Sequence, residues 1–398
     1  MLRLTAGIQD ICRKNSDMIP RSYLEILTSD LASSHKIIVV YGARQVGKTT
    51  LVRELLKAQA GKVLEINADE RPYWEVLSSR DWTKLRALVE GYDILFIDEA
   101  QRIPDIGINL KILHDKLPAL RIIVTGSSSL DLANRIQEPL TGRAWTYVLY
   151  PISVDEWRRY TGANAFETQL ALESFLRFGM YPEIFTLSTP AQKQRYLQEI
   201  TNSYLYKDIL VLANIKFPEK LQQLLKLLAY QIGSEVSIQE LSKSLQIHRE
   251  AVVNYLDLLE KAFVVFRLGG FSRNLQKEIT KMDKIYFMDI GIRNALVGNF
   301  NELSERNDVG QLWENFLLAE RIKYNAYRQR FANYYFWRTY YSSELDLVEE
   351  AEGRLMGYEF KWGKRRNAPP SAWVEAYPHA GYECYNLDNF MEFLGERQ

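Results

Sequence analysis

One stretch limits what this chain can fold into more than any other: KIIVVYGARQVGKTTLVRELLKA, from Lys36 to Ala58. Ile37–Tyr41 is a short continuous apolar run, the pattern of a strand covered on both faces. Gly42 to Thr49 then follows the spacing GxxxxGK[ST], and a helical pattern begins at once. Glycines in such a loop let successive backbone N–H groups turn inward, at a helix N-terminus whose dipole adds positive potential. That is a cradle for phosphate. Gly42, Ala43, Arg44, Gln45, Val46, Gly47, Lys48, Thr49 and Thr50 are its expected contacts. Lys48 reaches the β- and γ-phosphates of a nucleotide, and the Thr49 hydroxyl binds Mg2+. The fold class that accommodates such a strand is α/β, with helices packed on both sides of a parallel sheet.

YDILFIDEAQ, Tyr92 to Gln101, reads as a second buried strand, Asp93 to Ile97, ending on two carboxylates. Asp98 completes a magnesium shell. Glu99, directly after it, is placed to activate a water, which points to hydrolysis rather than binding alone. LRIIVTGSSS supplies a third buried strand with Thr125 and Ser127 as candidate γ-phosphate sensors. Arg143, in LTGRAWTYVLY, precedes a fourth apolar strand. It is a candidate to neutralise transition-state charge, from its own or a neighbouring subunit; the alternative is a surface arginine at a strand start.

These segments resemble the AAA+ ATPases, in the bacterial and archaeal branch that carries GxRQVGKTT and DExQ. The chain has GARQVGKTT and DEAQ, with TGSSS at the first-sensor position and LTGRAW as the arginine segment. The resemblance implies a parallel sheet of strand order 5-1-4-3-2, ATP and Mg2+ as ligands, and subunits that share sites, hence a homo-oligomer. No second-sensor arginine stands out after Pro151; Arg177 and Arg195 are the candidates. The lack of an NKxD-type guanine signature favours ATP over GTP.

A chain of 398 residues calls for two or three domains, and 47% hydrophobic with 25% charged residues is a globular composition. Fifty basic and fifty acidic residues cancel, so any contact with nucleic acid must be local. Cys12 and Cys384 lie at opposite ends and form no disulfide or metal spacing. The N-terminus has no apolar core of signal-peptide length, and the longest apolar runs are strand-sized. A cytoplasmic protein without a membrane segment is the expectation.

The expected division is a nucleotide-binding domain over 1–150, a helical lid over 151–216, a winged helix over 217–300 and a further α/β domain over 309–398. ESFLRFGMYPEIF and YLQEITNSYLYKDIL carry helical spacing around a Gly/Pro turn. After them come a helix, a short helix capped by Ser237, a longer one from His248 to Lys261, and two strands that would form a wing. Phe217 to Ile290 holds ten Lys/Arg against nine Asp/Glu, a weak footprint for DNA because affinity scales with phosphates neutralised.

The final segment reads helix, strand, strand, strand, helix, strand, helix. In ELDLVEEAEGRLMGYEFKW, a hairpin turn taken over Ala351–Arg354 sets Glu350 across from Leu355 and Asp346 across from Glu359. Two carboxylates directly opposite are unfavourable unless a cation joins them. Asp346 and Glu359 are therefore candidate metal ligands, Lys361 a candidate to orient water, and Glu314 on the preceding helix a third acid; the alternative is a solvated outer face. This order, with Glu-x-Lys on the strand after the aspartate, resembles the PD-(D/E)xK restriction-endonuclease-like fold. It also resembles the C-terminal domain of unknown function usually attached to this ATPase branch. Two functions follow: an ATPase coupled to a metal-dependent nuclease acting on DNA, or a regulatory ATPase whose winged helix and nuclease-like fold bind a protein or DNA partner without cutting.

Overall fold

The computed structural model describes residues 18–127, 140–202, 217–272, 282–339, 343–363 and 367–395. Part of TGSSS, Cys12 and the YKDI segment lie outside them. The chain divides into two compact units. One comprises Pro20–Tyr150 with Lys261–Phe263; the other holds Pro151–Glu260 and Val264 onward.

The first unit is built on five parallel strands: β1 (Ile37–Tyr41), β2 (Val63–Asn67), β3 (Ile94–Asp98), β4 (Arg121–Gly126) and β5 (Ala144–Val148). Their spatial order is β2-β3-β4-β1-β5, the 5-1-4-3-2 order implied by the resemblance. All five residues of β1 are buried, as the unbroken apolar run required. One face of the sheet packs Ile37, Val39, Leu95, Ile97 and Val124 against Leu110 and Leu113 of a helix over Ile106–Lys116. Alternate residues of neighbouring strands thus share one core. Helix α1 (Tyr23–Ser33) precedes the sheet, and α2 (Lys48–Lys57) leaves the loop after β1.

The second unit opens with α3 (Val154–Thr161), α4 (Ala165–Phe178) and α5 (Pro190–Ile200), each started by a capping box at Ser153, Asn164 or Thr189. Three helices follow, α6 (Pro218–Tyr230), α7 (Ile238–Leu245) and α8 (Arg249–Lys261), with β6 (Glu235–Val236), β7 (Val265–Gly270) and β8 (Asp283–Phe287). Ser237 caps α7 through Glu240 N–H, as its sequence position suggested. A helix over Ile290–Val297 leads to the long α9 (Val309–Tyr327). Then come β9 (Asn333–Arg338), β10 (Glu344–Ala351), β11 (Arg354–Phe360), α10 (Ser371–Ala376) and β12 (Gly381–Tyr385).

The expected wing is an antiparallel pair, β7 on β8. β7 also pairs in parallel with β9, so one seven-stranded sheet runs β12-β11-β10-β9-β7-β8-β6 across the boundary drawn at 300–309. The β10–β11 register is the one derived from the sequence, Glu350 across from Leu355 and Leu347 across from Tyr358. Its turn is tighter than a four-residue loop: Ala351 and Arg354 pair, and Glu352 and Gly353 both take positive φ, +53° and +74°. That is the two-residue geometry matching strand twist, which glycine adopts at no steric cost.

Helix α9 is buried nearly all round and carries polar side chains into the core. Arg321 meets Glu349 of β10 at 2.6 and 2.9 Å, and Arg330 and Asn325 add donors at 2.7 and 2.9 Å. These bonds hold Glu349 below the usual carboxylate range against the opposing effect of its burial. Removing one partner of a buried pair leaves a charge uncompensated. Arg321→Met is expected to cost about 3 kcal/mol, read as a lower midpoint in urea unfolding monitored by tryptophan fluorescence.

Candidate functional site

The phosphate loop is shaped by its backbone. Gly42 has φ +148°, and a Cβ there would lie 2.2 Å from the Leu149 carbonyl oxygen, so only glycine fits. Gly47, with φ +95°, starts α2. The Lys48 side chain is buried, and its Nζ donates to the carbonyls of Gly42 and Ala43 at 3.0 and 2.9 Å. The cation is thus held within the curl of the loop.

Parallel pairing brings the ends of β1, β3 and β4 to one edge of the sheet. There Thr49 Oγ1 donates to Asp98 Oδ2 at 2.8 Å, and Thr125 donates to the other oxygen of the same carboxylate. Neighbouring ligands of an octahedral Mg2+ sit about 3 Å apart when Mg–O is about 2.1 Å. The Thr49 and Asp98 oxygens already have that separation, and the pair fits the ion. Thr125 also accepts the Glu99 N–H at 3.3 Å, and Ser127 accepts from Gln101 at 3.0 Å. Of the expected residues, Lys48, Thr49, Asp98, Glu99, Thr125 and Ser127 therefore belong to one contiguous set at the loop.

Arg143 is not in that set. It precedes β5, whose Ala144 pairs with Ile37 at the start of β1, whereas the loop leaves from Tyr41 at the far end. Five residues at about 3.3 Å each put it roughly 17 Å away along the sheet. Its guanidinium instead forms two bonds to Asp115, 2.8 and 3.1 Å, which with His114 bring that carboxyl down to about 2. Arg177 bonds the Phe300 carbonyl and Glu173, and Arg195 pairs with Glu199 one turn on.

Arg21 escaped the sequence reading. Its buried guanidinium donates to the Val46 carbonyl in the loop, 2.5 Å, and to the Tyr150 carbonyl after β5, 2.6 Å. No spacing rule links residue 21 to a loop starting at 42, so nothing in the pattern pointed to it. Charged hydrogen bonds of this kind each contribute about 1.5–3 kcal/mol. Arg21→Ala is expected to weaken binding of a fluorescent ATP analogue tenfold or more, since 1.4 kcal/mol is a factor of ten.

The second acid group lies where β8, α9, β10 and β11 meet. Asp346 is buried rather than on a wet face, and its Oδ2 accepts the Phe360 N–H at 2.7 Å. Burial first, then the charge of Glu314, push its carboxyl up to about 8. Glu314 is itself raised by burial; it accepts from the Tyr286 hydroxyl and has Lys284 Nζ at 3.6 Å. Glu359 bonds elsewhere, to Lys361, Asn367 and Tyr382 at 2.7, 2.7 and 2.8 Å. Those donors outweigh its partial burial and keep it below the ordinary glutamate value. Asp346 and Glu314 are thus electrostatic neighbours, while Glu359 is satisfied by its own donors. Among the described residues no group of three or more His, Cys, Asp or Glu is gathered as a metal ion could use.

A carboxyl raised on folding keeps its proton where the unfolded chain has lost it. Its contribution is therefore full below the ordinary aspartate value of 3.8 and falls away as pH rises to about 8. Asp346→Asn is expected to flatten this decline and to leave the protein more stable than wild type above pH 8, measured by thermal unfolding across pH.

Among the described residues no helix is long and apolar enough to cross a membrane. The family described as AAA domain matches residues 34–158. Two families described as domains of unknown function match 169–303 and 309–393. An uncharacterized protein of Methanocaldococcus jannaschii is 27% identical over 303 residues, 72% of this chain and 66% of its own. The solved Walker-type ATPase of Pyrococcus abyssi shares the fold, with a TM-score of 0.52 at 17% identity, over 72% of this chain and 99% of that one. An uncharacterized protein of Mycobacterium tuberculosis is 32% identical over 340 residues, which are 84% of this chain and 71% of the mycobacterial one. Aligned to that extent, this chain belongs to the same family as the mycobacterial protein, and its phosphate loop and acidic strand end, assembled at one sheet edge, lie in a P-loop domain of the AAA type.

Proposed function

We propose that the protein binds ATP with Mg2+ and hydrolyses it, and that nucleotide state switches a partner-binding module formed by the second unit. The carrying observation is the Thr49–Asp98–Thr125 contact set beside Lys48. Lys48 and the loop N–H groups bind the β- and γ-phosphates; Thr49 and Asp98 hold the ion, which neutralises charge developing on the phosphoryl oxygens. Glu99 takes the proton of the attacking water. Arg143, engaged with Asp115 inside its own chain, contributes to this chemistry only where a neighbouring copy presents it. In a steady-state assay Lys48→Ala is expected to lose nucleotide binding. Glu99→Gln should bind ATP but turn over 100- to 10,000-fold more slowly; undiminished turnover in that variant overturns the assignment.

For the second unit we read residues 217–300 as a winged helix and 309–398 as a PD-(D/E)xK-like fold that binds rather than cuts. Supporting this is the use of its acids: Lys284 lies against Glu314, and Glu359 is satisfied by Lys361, Asn367 and Tyr382. The second reading, metal-dependent cleavage of DNA by Glu314, Asp346, Glu359 and Lys361, is favoured by the shared burial and like charge of Glu314 and Asp346. Supercoiled, linear and single-stranded DNA, incubated with Mg2+ or Mn2+ and with or without ATP, decide between them. No cutting is expected. Cutting by wild type that disappears in Asp346→Ala and Lys361→Ala would establish the nuclease instead.

A further inference from the structure

Gln101 ends the DEAQ segment and has no part in the chemistry above. Its side chain is 8% exposed, and its Nε2 donates both to Glu99 Oε2, at 2.5 Å, and to Ser127 Oγ, at 3.0 Å. A side-chain amide nitrogen carries two hydrogens, so these two bonds use them both. Turning the amide over would set its carbonyl against the Glu99 carboxylate, so the orientation has one solution. Gln101 Oε1 is buried with no hydrogen-bond partner among the described residues. An orphaned acceptor of this kind is costly and uncommon in native proteins.

Glu99 itself has φ +53°, a conformation costly for a side chain of this size. Two tethers hold it to the end of β4. Thr125 accepts the Glu99 backbone N–H, and Ser127, two residues on, takes the amide that grips the Glu99 carboxylate. Residues two apart along an extended strand face the same way. Ser127 serves here as acceptor, which keeps its own hydrogen for donation, and a γ-phosphate oxygen is an acceptor that this hydroxyl suits.

We propose that Gln101 is a positioning residue: it couples Ser127 to Glu99, so that a phosphate oxygen bound at Ser127 sets the direction of the general base. This rests on the ATP-hydrolysis reading above. The experiment measures kcat and KM for ATP, and affinity for a fluorescent ADP analogue, in wild type, Gln101→Ala, Gln101→Glu, Ser127→Ala and Gln101→Ala/Ser127→Ala. Gln101→Ala is expected to lower kcat at least tenfold while KM and ADP-analogue affinity stay within twofold. Gln101→Glu is expected to be at least as impaired, because a carboxylate then faces Glu99. The double variant should be little slower than the slower single one, since both changes break the same link. Wild-type kcat in Gln101→Ala, losses that multiply independently, or nucleotide affinity lost together with kcat each overturn the proposal. A wild-type protein that binds the analogue yet does not hydrolyse ATP overturns the underlying reading, and is distinguished by silence in all variants alike.

Discussion

The second unit is organised by polar groups that one buried helix carries into an apolar interior. Each is costly to bury alone, so each must find its partner for the helix to seat. Along α9, Asn315 bonds both backbone groups of Phe287 at the end of β8, at 2.7 Å each. Glu320 accepts the Val154 N–H at the start of α3, and Lys323 reaches the Ile152 carbonyl. Arg321 takes Glu349 of β10 and the Phe393 carbonyl. Four side chains thus address four segments distant in sequence. Apolar packing, such as Phe175 stacked on Phe316, supplies driving force but tolerates sliding; directional bonds at fixed positions do not.

The two acidic groups are handled in contrasting ways. At the phosphate loop the Asp98 carboxylate is met by neutral hydroxyls, Thr49 and Thr125, which orient it without cancelling its charge. Where β8, α9 and β10 meet, Lys284 and Lys361 bring positive charge to bear on Asp346, and Lys284 does so on Glu314. A carboxylate met by hydroxyls leaves its charge to be matched by a cation; a carboxyl that burial holds protonated, with ammonium groups already beside it, does so less. The same residue type therefore carries different chemistry in the two places, set by its neighbours.

What the sequence disclosed follows from how far each feature depends on distant chain. The phosphate loop was legible because its spacing is its mechanism: glycines, lysine and threonine lie within eight positions. The hairpin register was legible from strand alternation, even though the turn proved two residues long, because both turn readings leave the same pairs opposite. The burial of Asp346 was not legible, since it depends on α9 and β8 bringing Glu314 and Lys284 against β10. Nor were the grip of Arg21 on the loop or the placement of Lys284 beside Glu314, which join segments 25 and 30 residues apart through tertiary geometry alone. Glu99 and Gln101 lie two apart in the motif, yet their bond is made beside a left-handed residue, Glu99 itself, which no propensity for glutamate would suggest.

The seven-stranded sheet is continuous but not uniform. Between β7 and β9 the parallel register covers two pairs, Gly269 with Tyr335 and Gly270 with Phe336, and the Phe271 N–H adds a bond to the Phe336 carbonyl. On the β7 side two of those three positions have no side chain to interlock with the next strand. The join is therefore held from outside as much as from within: α9, bonded to Phe287 of β8 and to Glu349 of β10, spans it as a splint spans a thin place in a beam.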